Sequence, residues 1–319
     1  MTTKALVRDI DVDVRPGDVD GYPSIVLEAG PTSATFVPEL GLLGTSLRHH
    51  GREYLDLSGG ATRVLAQHTT GLPLLAPWAN RLAGDRYRVG RRSVDLSHAP
   101  GLHRDGAGLP IHGTMLGRHG WQVTRSGSTP SGGARLTARF DAAHDDVVMA
   151  SFPFPHVLGV VATVTPGRLE VTASVAATGR AKVPVAFGWH PYFRLPDEAP
   201  DDLRVELPGW RRLLLDDRMI PSGASVREAP STIGLPPGGL DEAFVLPSRH
   251  RAMTLSGRHR ALTLNPGAGY LYAQVYNPAG SPVVALEPMV APIAGLGTAA
   301  APLVAPGATY TARFRVDLH

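Results

Sequence analysis

An all-β chain built as a sandwich is the fold class this sequence predicts, and three observations predict it. Apolar and polar residues alternate with a period of two in many short runs. Glycine and proline punctuate those runs: the 319 residues include 36 Gly and 29 Pro, so the chain reverses direction often. No stretch keeps a 3.6-residue apolar period between capping residues, which leaves room for only a few short helices.

The alternation is clearest in residues 168–175. There Leu169, Val171, Ala173 and Val175 face one way, while Arg168, Glu170, Thr172 and Ser174 face the other. Successive strand side chains point to opposite faces, so such a run has one buried side and one wet side. Residues 310–317 repeat the pattern, with Tyr310, Ala312, Phe314 and Val316 opposed to Thr311, Arg313, Arg315 and Asp317. Further strands are expected at residues 24–28, 135–140, 157–164, 203–207, 261–265, 270–276 and 282–287. Turn chemistry separates them. Thr165-Pro166-Gly167 and Asn265-Pro266-Gly267 combine the fixed dihedral of proline with the freedom of glycine, and residues 127–133 read as a flexible hairpin loop. No linker, charge run or short-period repeat divides the chain, so residues 1–319 are expected to form a single domain.

Composition narrows the function classes. Apolar residues at 43% and charged residues at 18% are the balance of a soluble globular protein. The formal charge is only +3 and the basic residues are scattered, unlike the stripe or arm of a nucleic-acid binder. With no cysteine there is no disulfide, no thiolate nucleophile and no zinc–thiolate site. The first ten residues carry Lys4, Arg8 and Asp9 and have no apolar core, so they do not read as a secretion signal. The most apolar stretch, residues 282–306, is interrupted by Glu287, Pro288, Pro292 and Pro302, which a membrane span would not hold in its middle. A cytoplasmic protein without membrane or nucleic-acid partners is the expectation.

Five clusters place ionisable residues among Pro, Gly and aromatic ones: Pro77 to Leu82, Ile111-His112-Gly113, Phe187 to Phe193, Leu240 to Phe244, and Leu286-Glu287-Pro288-Met289. Singly, most have a structural explanation. His190 in its aromatic segment reads first as a satisfied core histidine, Asn80-Arg81 as a surface turn, and Asp241 as a turn cap. Glu287 differs, because it follows the apolar run Val283-Val284-Ala285-Leu286. Buried glutamates are rare unless paired or used, and burial lifts the carboxyl towards the range of a working general base. A metal site among His98, His103, His112 and His119 is a weaker reading, since their spacing matches no helical ligand pair and no carboxylate cluster accompanies them.

As an ordered set these residues resemble the aldose 1-epimerases, or galactose mutarotases. The resemblance runs through Pro38-Glu39-Leu40-Gly41, Asn80-Arg81, Ile111-His112-Gly113 with Trp121, Gly188-Trp189-His190-Pro191-Tyr192-Phe193, Leu240-Asp241 with Phe244, Gln274-Val275-Tyr276 and Glu287-Pro288. It therefore spans almost the whole chain. The resemblance implies a large antiparallel β-sandwich with a sugar in an open groove on one sheet. It implies Glu287 as catalytic base, His190 as catalytic acid, and His112 assisting near the ring oxygen. Asn80, Arg81, Asp241 and Gln274 would bind sugar hydroxyls. The implied partner is a small-molecule sugar, with neither cofactor nor metal, in a monomer or homodimer.

Interconverting α and β anomers opens a cyclic hemiacetal and closes it on the other face. One group must take the proton of the C1 hydroxyl while another protonates the ring oxygen, work suited to a carboxylate and an imidazole. Two other functions fit the same residues. A hexose-6-phosphate 1-epimerase would need cations facing the phosphate, for which Arg86, Arg88 and Arg118 are candidates. A non-catalytic carbohydrate-binding or sensing sandwich would keep the groove without needing both proton-transfer residues.

Overall fold

The computed structural model describes residues 10–319; the segment read above as lacking a secretion signal lies, up to residue 9, outside them. The described residues form antiparallel sheets with two short α-helices, Gly60–Leu65 and Asp146–Ser151. The second helix is a little over one turn long and starts where the Asp145 side chain accepts the Val148 amide at 2.8 Å.

A nine-stranded sheet forms one layer. It runs in the order Gln122–Ser128, Ala134–Asp141, His156–Thr165, Arg168–Ala177, Thr309–Leu318, Ala261–Pro266, Met253–Ser256, Arg204–Leu207 and Ser231–Gly234. The expected alternation is realised here: in Arg168–Ala177 the residues Leu169, Val171, Ala173 and Val175 are buried, and Arg168 is exposed. The Thr165-Pro166-Gly167 turn joins the two longest neighbours, pairing Thr165 with Arg168 at its mouth. A separate five-stranded sheet, Val12–Val19 to Arg52–Glu53, packs Leu27, Ala29, Ala34 and Phe36 into the same core.

The eight-stranded sheet carries the chemistry. Its path is Pro221–Arg227, Arg211–Leu215, Leu240–Val245, Tyr272–Asn277, Val284–Met289, Gly188–Trp189 and Leu74–Leu75, with Tyr192–Phe193 also pairing to Val284–Met289. Its inner side meets the nine-stranded sheet through the edge-on contact of Trp189 with Phe314, ring centroids 5.8 Å apart. Two strands shift from their expected bounds. The one expected at 270–276 is Tyr272–Asn277. The one expected at 282–287 is Val284–Met289, which places Glu287 inside the strand and not at its end. It continues because Pro288 fits an extended backbone and pairs in register with Ala273. No helix among the described residues is long and apolar enough to cross a membrane.

Candidate active site

The strand Val284–Met289 is buried along its whole length, Glu287 included at 2% exposure. On one side it pairs Gln274 opposite Glu287. On the other it pairs first with Tyr192–Phe193 and then with Gly188. Between those two short strands His190-Pro191 steps out of the ladder and carries the imidazole over Glu287. Gly188 permits this close packing: a Cβ there would lie 2.8 Å from the Ala79 Cβ and 3.0 Å from the Pro288 carbonyl oxygen. The result is a contact of 3.2 Å between His190 Nε2 and Glu287 Oε1, with His190 itself only 5% exposed.

The other side of the site is a pair of turns. Asn80 and His112 both have left-handed backbones, φ 58° and 64°, which are uncommon for residues other than glycine. They lock together: the His112 amide donates to the Asn80 carbonyl at 3.1 Å, and the Asn80 amide donates to His112 Nδ1 at 3.3 Å. Strained backbone of this kind is held only where the surroundings determine it, and it clusters at functional sites. Gly113 follows, at φ 66° and directly against the Ala76 carbonyl, where no side chain fits. Arg81 donates through Nε to Asp105 at 2.6 Å and through a terminal nitrogen to Asn80 Oδ1 at 3.2 Å. The other oxygen of Asp105 accepts the Ala107 and Leu109 amides, so a loop carboxylate fixes the guanidinium.

Together these elements line a pocket of about 170 Å³, formed by Asn80, Arg81, His112, His190, Asp241 and Glu287 with Thr69, Ile111, Tyr192 and Tyr276. Six of the seven residues expected from sequence therefore converge on one space. The seventh, Gln274, does not line it. It sits cross-strand from Glu287 on the same face but is 1% exposed, and it donates to the Asp241 carboxylate, so it holds that acid. Thr69, Ile111, Tyr192 and Tyr276 were given no role by sequence reasoning. Ile111, Tyr192 and Tyr276 each sit one or two places from a recognised residue, a signal that was available. Thr69 carried none. Arg86, Arg88 and Arg118 all lie off the cavity wall. Arg86 is paired to Asp95, Arg88 donates to the Gly90 carbonyl and Arg118 to that of Thr114. Among the described residues no group of three or more His, Asp or Glu is arranged to hold a metal ion.

A larger trough of about 610 Å³ lies on the outer face of the five-stranded sheet. Size alone does not make it the site, because most of its charges are already satisfied. Arg15 pairs with Glu28 at 3.0 Å, and Glu53 accepts the Leu47 and Leu55 amides while pairing with Arg48. The small cavity is different, holding convergent groups whose burial is not compensated.

Burial dominates its electrostatics. Desolvation pushes Glu287 well above the usual carboxylate range; the nearby Asp241 charge adds to this and Arg81 opposes it. Desolvation drives His190 the other way, down to about 3, and holds His112 well below an ordinary histidine, helped by His190 and Arg81. Asp241 is raised by burial against the opposing effects of Gln274 and Arg81. The two shifts run in opposite directions for one reason: burial favours the neutral form of each group, a protonated carboxyl beside an unprotonated imidazole. Glu287 Oε2 and His190 Nδ1 are both buried without hydrogen-bond partners. Such a pair can pass one proton in either direction.

The antiparallel layers place the chain among the galactose mutarotase-like sandwiches. A galactose mutarotase-like protein from Clostridium acetobutylicum superposes with a TM-score of 0.84 at 16% identity, covering 97% of this chain and 99% of that one. Galactose 1-epimerase from Lactobacillus acidophilus does so at 0.75 and 14% identity, over 97% and 99%. A galactose mutarotase-like protein from Lactobacillus casei gives 0.70 at 21% identity, over 93% and 100%. At these identities the likeness is one of fold. The sequence goes further: residues 23–317 match the aldose 1-epimerase family, and the chain belongs to it. No curated protein matches the sequence.

Proposed function

We propose that this protein is an aldose 1-epimerase that interconverts the α and β anomers of a neutral hexose, with Glu287 and His190 as its proton-transfer pair. The observation that carries the reading is the 3.2 Å contact between His190 Nε2 and Glu287 Oε1 at the wall of a small polar pocket. The hydroxyl oxygen and the ring oxygen of a hemiacetal sit on the same carbon, so two groups in contact match the two atoms that must exchange protons. A cavity of about 170 Å³ is small beside the roughly 300–1,000 Å³ of drug-sized pockets, and it suits one sugar ring.

Ring opening starts from carboxylate and imidazolium. Glu287 takes the proton of the C1 hydroxyl, the C1–ring oxygen bond breaks, and His190 protonates the departing oxygen. The products are an aldehyde, a C5 hydroxyl, a protonated Glu287 and a neutral His190. That is the protonation state burial favours. Rotation about C1–C2 turns the other carbonyl face to the C5 hydroxyl. His190 then takes the hydroxyl proton as the ring closes, and Glu287 returns its own to the carbonyl oxygen. The pair ends as it began. Asn80 and Arg81, with their fixed donors, and Asp241, held by Gln274, are placed to bind the remaining hydroxyls, and His112 stands beside His190 with ring centroids 5.5 Å apart.

A neutral sugar is favoured over a sugar phosphate because the one arginine on the cavity wall is already neutralised by Asp105. The test is polarimetric: the rate of anomer equilibration of glucose, galactose and glucose 6-phosphate with wild-type protein and with Glu287→Gln. Acceleration of a neutral hexose by the wild type alone is expected. Acceleration of glucose 6-phosphate only would transfer the assignment to a hexose-phosphate epimerase. Sugar binding with no acceleration of any would make this a carbohydrate-binding protein.

A further inference from the structure

We infer that Tyr192, tethered by Thr69, is the positioning residue that sets the plane of the His190 ring and keeps its Nε2 on Glu287; this rests on His190 being the proton carrier proposed above. A histidine that moves protons is ordinarily oriented by a hydrogen bond from its other ring nitrogen. His190 Nδ1 is buried with no such partner on any other residue. What fixes this ring is packing. The phenol of Tyr192 lies flat on it, centroids 4.5 Å apart and planes within 10°. His112 and Tyr276 meet it edge-on at 5.5 and 5.9 Å.

The tyrosine is itself held. Its hydroxyl lies 2.6 Å from Thr69 Oγ1. It lies 3.5 Å from His190 Nε2, but with the two rings stacked that approach comes from above the imidazole plane, where a hydrogen bond is weak. The hydroxyl therefore anchors the phenol to Thr69 and is not a third proton carrier. The anchor is rigid because residues 69–73 run beside residues 190–192. The Tyr192 amide donates to the Gly71 carbonyl at 2.8 Å, and the His190 amide donates to that of Pro73 at 3.1 Å. Thr69 and Tyr192 both reach the cavity wall, so the tether closes on the imidazole it serves.

Three substitutions separate this role from mere packing. Thr69→Val keeps shape and removes the anchor, Tyr192→Phe keeps the stack and removes the hydroxyl, and Tyr192→Leu removes the stack. Thr69→Val and Tyr192→Phe are each expected to lower kcat by about 3- to 10-fold with KM nearly unchanged. The double variant should fall no further than the worse single, since both cut one tether. Tyr192→Leu is expected to cost about 100-fold in kcat, the scale of a misplaced catalytic group. It should also rehydrate the imidazole, so that the His190 titration followed by nitrogen NMR climbs towards an ordinary ~6.5. Additive losses in the double variant, a rise in KM at constant kcat, or an unmoved His190 titration in Tyr192→Leu would overturn the inference. Should Tyr192→Leu fail to fold, the two conservative variants and their double still decide it. A wild type that accelerates no sugar would defeat the proposed function, while the His190 titration would still report on the positioning.

Discussion

Two buried strand carboxylates show how differently the two large sheets use the same chemical group. In the nine-stranded sheet Asp317 is 9% exposed and fully answered: Arg168 donates to one oxygen at 2.6 Å, and Arg315 and Asn265 donate to the other at 2.9 and 3.1 Å. In the eight-stranded sheet Glu287 is 2% exposed, and its partner is an imidazole at 3.2 Å that is itself uncharged by burial. One carboxylate is matched by donors, and the other is buried without them, which pushes its pKa upward. A settled charge contributes to stability and has little else to do. An unsettled one costs stability and is free to exchange a proton.

The largest test of that contrast is substitution within the unsettled pair. Glu287→Gln should abolish detectable mutarotation while sugar binding, followed by calorimetry, is largely kept. His190→Asn should lose about two to four orders of magnitude in kcat, the usual worth of a positioned proton donor. A loss below tenfold would remove His190 from that role. Glu287→Gln has a second signature. Because burial raises the folded-state pKa of Glu287, its protonated form contributes stability that is complete below the unfolded pKa. That stability is lost as pH rises towards the folded value. The amide is neutral at every pH, so the variant should melt increasingly above wild type as pH rises from the ordinary carboxylate range towards the raised one. A constant difference in Tm across that range would mean Glu287 is not held protonated.

The same contrast explains what could be read from the chain. Asp317 and its sheet are largely written in local alternation: Val171, Phe314 and Val316 bury themselves by period alone, and six of the nine strands were expected near their places, whereas Gln122–Ser128, Ser231–Gly234 and Met253–Ser256 were not. Glu287 stood out because an acid beside Val283 to Leu286 needs a reason. His190 did not, because its use depends on a bulge between two short strands and on Glu287 lying beneath it, neither of which has a periodic signature. Gln274 was expected to bind a sugar hydroxyl, and it is instead buried against Asp241. Sequence distinguishes the polar residues of a strand, but not the one that touches a ligand from the one that supports it. Thr69 and Asp105 were missed altogether, since each acts through a contact with a residue distant in the chain, 123 and 24 positions away respectively.

The pH dependence of activity follows from the shared proton. The productive pair carries one proton in total, whichever partner holds it. It fails only when His190 gains a second, near 3, or when Glu287 loses the first, well above the usual carboxylate range. The expected kcat/KM profile is flat between those two limits. An inflection at the ordinary histidine value would show the imidazole to be hydrated and the pair uncoupled. Smaller than these effects is that of Asp105→Asn. It keeps an oxygen for the Ala107 and Leu109 amides but presents Arg81 with a neutral partner. KM should rise about tenfold with little change in kcat, since about 1.4 kcal/mol of charge-assisted hydrogen bonding is lost from binding and none from proton transfer.

Asp317→Asn should leave catalysis untouched, and for that reason it completes the comparison. The amide removes the charge between Arg168 and Arg315 and turns a pair of donor hydrogens towards donors, leaving two guanidiniums and Asn265 with a poorer acceptor. Both arginine side chains are 47% exposed, so water relieves much of the cost. A destabilisation of about 1–2 kcal/mol is the expected size, a fall of a few degrees in Tm for a chain of this length. Anomer equilibration should proceed at the wild-type rate. A variant that kept its Tm but lost activity would invert the assignment of the two carboxylates, because the settled charge would then be the working one.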